Sequence, residues 1–127
     1  MDKIVLDYLL YEKISEDLYF IAIINGKECK TLQDFLTRIG KAFKFPSYYG
    51  HNLNALNDCL NDLEWLNKPN YVFIIRNPQE FLIKEQVDIY NHIIHFLEEV
   101  STQWKNVPNY PGEEEYRKKS DFKIKMI

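Results

Sequence analysis

Residues 18–26 read LYFIAIING. From Leu18 to Ile24 every position is apolar or aromatic, and Asn25-Gly26 stops the run. A strand with one wet face alternates polar and apolar residues. An unbroken run of β-branched and aromatic residues therefore suits a strand buried on both faces. Tyr71 to Ile75 (YVFII) repeats the pattern and is closed by Arg76-Asn77-Pro78. Phe122-Lys-Ile-Lys-Met-Ile127 instead alternates apolar residues with lysine, as an edge strand with one solvated face does.

Helical patterns fill the intervals. Thr31 stands as an N-cap, with Asp34 three residues on as an imperfect capping box. Leu32, Phe35, Leu36, Ile39 and Phe43 share one side of the helix that follows, Gly40 weakens it and Pro46 ends it. Asn52 caps a second helix reaching about Trp65. Residues 85–105 form the longest, with Val87, Ile89, Tyr90, Ile93, Ile94, Phe96, Leu97 and Val100 turned inward. Parallel neighbours need helical crossovers, so the order predicts an α/β fold: a small three-stranded parallel sheet flanked by helices in three layers. Ile4 to Tyr11 is apolar without clean periodicity and reads as an extra N-terminal edge strand in preference to a short helix. Residues 107–119 form a turn-rich loop of mixed charge.

The whole chain bounds the functions open to it. Its 127 residues predict a single domain with a core that needs no staples. Apolar residues make up 46% and charged residues 28%, ordinary values for a globular protein. A net charge of −3 argues against direct nucleic acid or an anionic membrane as the main partner. Asp2 and Asp7 interrupt what would be the apolar core of a leader, and no run approaches the ~18 apolar residues of a membrane span. Cys29 and Cys59 allow at most one disulfide, so the reading is a cytoplasmic protein with reduced thiols.

The second helix has two unlike sides. Leu53, Leu56, Leu60 and Leu63 gather on one, with Cys59 at its edge as a small hydrophobe. Asn54, Asn57, Asp58, Asn61 and Asp62 occupy the other. The chain has thirteen lysines, yet no lysine or arginine occurs from Phe45 to Asn67. Surface helices usually interleave lysine with glutamate, so a base-free face suits a cationic partner. The loop feeding the helix adds Tyr48 and Tyr49, and exposed tyrosines are enriched at binding surfaces.

Phe45-x-x-Tyr48-Tyr49-Gly50-x-Asn52-x-x-Ala55-Leu56-x-Asp58-Cys59-Leu60, followed by Trp65, resembles the signature of the barstar family, small cytoplasmic inhibitors of barnase-type ribonucleases. The likeness covers about residues 20–105 and the closing strand. Residues 1–17 then stand as an N-terminal extension and 107–119 as a loop insertion. The resemblance implies a barstar-like domain whose loop and second helix plug the active site of a basic extracellular or toxin ribonuclease. It implies that Asp58 enters the pocket of a substrate phosphate and that Tyr48 packs on the nuclease's catalytic histidine. Tyr49, Gly50, His51, Asn52, Asn54, Asn57, Asn61 and Asp62 complete the expected binding surface. A carboxylate on a rigid helix can pair bidentately with guanidinium groups, and charge steers a basic partner; the barnase–barstar pair is itself a standard instance of such steering.

Two positions depart from the family pattern: Asn54 stands where barstar has an acid, and Asn57 where it has a tryptophan. Both weaken the expectation of tight binding to barnase itself. A further family acid lies on the long helix, with Glu85 and Asp88 as candidates. His51 beside Tyr48 and Asp58 lacks a nucleophile or phosphate cradle, and His92 and His95 lack a third ligand, so no catalytic residue, metal or cofactor is assigned. A monomeric inhibitor is the expectation. The alternative is a barstar-like interaction domain whose partner is not a ribonuclease.

Overall fold

In the structure, a computed structural model that describes residues 1–127, three strands form one parallel sheet: β1 (Tyr19–Asn25), β2 (Asn70–Arg76) and β3 (Phe122–Met126), in that spatial order. Ile21 pairs with Val72 across one ladder and Phe73 with Ile124 across the other. β2 is central, which explains its unbroken apolar run: Tyr71 to Ile75 are all buried. Tyr71, Phe73 and Ile75 face the main core, while Val72 and Ile74 face the opposite layer.

β1 is an edge strand, so its reading as fully buried is half right. Ala22 and Ile24 are buried in the main core, whereas Tyr19, Ile21 and Ile23 are only partly covered on the other face. β3 matches its alternation, with Phe122, Ile124 and Met126 on the main core. The main core is completed by α2 (Leu32–Ala42), α3 (Leu53–Leu60) and α4 (Val87–Lys105).

Residues 4–11 do not form an edge strand; they lie in a helix, α1 (Lys3–Tyr11). Asp2 caps it by accepting from the Val5 amide at 2.9 Å, and its other oxygen accepts from Arg76 Nε at 2.8 Å. Val5 and Leu9, one helical turn apart, pack with Ile14 against Val72 and Ile74. A strand there would have left this face of β2 open, and burying it settles the choice. The periodicity was blurred because Ile4, Leu6, Leu10 and Tyr11 are apolar yet exposed. The third layer is therefore the N-terminal extension.

Thr31 caps α2 by accepting from the Asp34 amide at 3.1 Å. A second free N–H of the first turn is met from elsewhere: Glu85 accepts from the Leu32 amide at 2.7 Å. Glu85 therefore precedes α4 and serves the fold through this bond. α4 begins two residues later than its sequence pattern suggests, with Val87 exposed and Ile93, Leu97, Val100 and Trp104 buried. No helix is long and apolar enough to cross a membrane.

Candidate protein-binding surface

The 45–51 loop is held from below by Tyr49. Its ring is buried, meets Phe45 edge-on at 4.8 Å and donates its phenol to the Leu36 carbonyl at 2.9 Å. Burial pushes the phenol pKa up to about 12, consistent with a permanent donor. Tyr49 thus belongs to the core and leaves the expected binding surface. Its neighbour Tyr48 points the other way and is 72% exposed. Trp65 braces the same loop, donating its indole N–H to the Phe43 carbonyl at 2.9 Å and meeting Phe45 edge-on.

His51 sits in the left-handed region (φ 54°), which turns the chain abruptly into α3. Its ring is exposed and lies 4.6 Å from that of Tyr49. Asn52 then caps α3 through the Ala55 amide at 2.9 Å and also reaches back to the Gly50 carbonyl at 3.3 Å. Leu56, Cys59 and Leu60 are buried beneath the helix. Cys59 is a free thiol whose pKa burial raises, with Asp58 and Asp62 adding to the rise.

On the outer side, Asn54, Asn57, Asp58 and Asp62 are exposed. Neither Asp58 nor Asp62 makes an ion pair within the chain. Asn61 is different: its amide donates to the Asn57 carbonyl and side-chain oxygen at 3.0 and 3.1 Å, and its own oxygen accepts from Arg117 Nη1 at 2.9 Å. The helix face is therefore not wholly free of bases, as its local sequence suggested. A guanidinium arrives from 56 residues away, already paired with Glu113 at 3.7 Å.

Tyr48, His51, Asn54, Asn57, Asp58 and Asp62 are thus all exposed along the loop and helix, with Gly50 and Asn52 shaping the backbone between them. Asp88, the remaining acid considered on α4, is exposed at the start of that helix and accepts from the Ile89 amide. No group of three or more His, Cys, Asp or Glu side chains converges as a metal site. Among protein-family models, barstar (barnase inhibitor) matches residues 19–126. The chain belongs to the barstar family. That family is one of inhibitors that act on a protein partner, and its fold here is extended by α1, which lies outside the match.

Sequence reasoning missed the part of the surface built by residues 107–119. Those residues fold back over α4 and α3, and with α3 they enclose an open cleft of about 650 Å³. Asn57, Asp58, Asn61 and Asp62 line one side, and Tyr110 and Tyr116 line the other. The two tyrosines set among acids in NYPGEEEY were the available signal, but nothing local says where that loop comes to rest.

Proposed function

We propose that this barstar-family protein inhibits a basic ribonuclease by inserting the exposed face of the 45–62 loop and helix into its active site. The observation that supports it is Asp58: an unpaired, exposed carboxylate on a rigid helix, with the exposed Tyr48 on the loop before it. A nuclease pocket holds cationic groups for a substrate phosphate, and a carboxylate can meet the same groups without offering a bond to cleave. Tyr48 supplies an aromatic anchor with few rotamers to freeze. Asn54 keeps an acceptor where the family has a charge, so one pairing with a basic group of the nuclease is weaker there. The protein acts inside the producing cell as a monomer against a secreted or toxin enzyme.

The test is RNA hydrolysis by a panel of barnase-type ribonucleases titrated with the purified protein. One-to-one loss of cleavage by at least one enzyme, reversed in Asp58→Ala, is expected. Binding that leaves RNA cleavage intact in every case would assign the surface to a partner other than a ribonuclease.

A further inference from the structure

The 107–119 segment is fastened by a compact set of contacts. Glu113 is only 3% exposed, accepts from the Asn109 amide and pairs with Arg117. The Arg117 guanidinium lies 3.8 Å from the centre of the Trp104 ring and donates to Asn61, the C-cap of α3. Asn109 donates to the Gln103 carbonyl at 3.3 Å. A buried ion pair stacked on a tryptophan is a costly way to place an ordinary surface loop, since each charge must be taken out of water. The placement leaves Tyr110 59% and Tyr116 82% exposed, facing Asp58 and Asp62 across the cleft.

The residues lining the cleft also carry unmet hydrogen-bonding capacity. Gln103 Oε1 and Arg117 Nη2 are buried and have no hydrogen-bond partner. Each is a group that a partner brought into the cleft can satisfy. The walls add tyrosine rings and unpaired carboxylates, a combination that favours a planar guanidinium over other side chains.

We propose that the 107–119 segment is a second wall of the partner-binding site, and that its cleft with α3 receives an arginine-bearing loop of the basic protein partner. The inference rests on the inhibitor reading above and deepens it. α3 supplies the charge that any basic partner meets, whereas the tyrosine wall selects among basic partners by the loop they can insert.

The test uses the barnase-type ribonuclease that the intact protein binds most tightly, with affinities measured by calorimetry. Tyr110→Ala combined with Tyr116→Ala should weaken binding at least about tenfold. Gln103→Met should weaken binding while leaving the urea midpoint unchanged or higher, because it deletes a buried unpaired acceptor. Amide exchange across residues 109–117 should slow in the complex. If Asp58→Ala loses affinity but the double tyrosine variant and Gln103→Met bind within twofold of wild type, the second wall is refuted and the inhibitor reading stands. If no enzyme of the panel binds, or Asp58→Ala binds normally, the inhibitor reading fails and this inference with it.

Discussion

A β-carbon on Gly40 would lie 2.8 Å from Cε2 of Tyr49 and 3.1 Å from its Cδ2. The Tyr49 ring therefore rests on bare helix backbone, and α2 holds the loop that presents Tyr48. The phenol bond to Leu36, one turn earlier on the same helix, fixes the ring's other end. The glycine that weakens α2 by propensity is the residue that lets the binding loop dock.

Gly40→Ala should therefore destabilise the fold by roughly 1–3 kcal/mol, the usual cost of overpacking. At an ordinary helix site the same change would stabilise by about 1 kcal/mol. Urea midpoints decide between the two signs. A more stable variant would show that the ring and the loop can move aside cheaply.

How much of this was legible beforehand follows the range of the interactions. The sheet could be read because β2 is buried on both faces and its composition records that directly. Asn52 and Thr31 could be read as caps because a cap is local. Tyr48 and Tyr49 are adjacent and chemically identical, so only tertiary packing separates the anchor from the exposed ring. Glu85 reaching Leu32, and Arg117 reaching Asn61, span 53 and 56 residues and leave no periodic trace. α1 failed for another reason: its apolar residues spill beyond the buried stripe, and a pattern of burial cannot be read from residues that are apolar but exposed.

The thiols should be inert in the native state. Cys29 and Cys59 are both free and buried, and burial raises the Cys29 pKa to about 11. The thiolate is the reactive form, so labelling by a disulfide reagent near pH 8 should proceed only as fast as the protein unfolds. Labelling of two thiols within the mixing time would show that one of these sites opens locally.

Asp2 gives stability a defined acid dependence. Its hydrogen bond from Arg76, followed by that from the Val5 amide, holds the carboxyl below its ordinary value of 3.8. A depressed folded pKa contributes stability that is complete above the unfolded value and lost as the pH falls through the folded one. Asp2→Asn keeps a competent cap and removes the charge. It should be less stable than wild type at neutral pH, and the gap should close as the pH falls below 3.8. A gap that stays constant across this range would trace the loss to altered capping shape instead.

Asp58 and Leu56 sit two residues apart on α3 and should separate binding from folding. Asp58 is exposed and unpaired, whereas Leu56 is 0% exposed in the main core. Asp58→Ala should cost at least roughly 2 kcal/mol of affinity, because the partner's cationic groups would be left desolvated and unmatched. Tyr48→Ala should cost a similar amount by removing an aromatic anchor. Neither should move stability by more than about 0.5 kcal/mol, as is usual for exposed positions. Leu56→Ala and Leu60→Ala should instead destabilise by roughly 2–5 kcal/mol by opening a cavity beneath the helix. Affinities for an inhibited ribonuclease, set beside urea midpoints for the same four variants, check the separation. An Asp58→Ala variant that is folded and binds like wild type would place the docking surface elsewhere on the molecule.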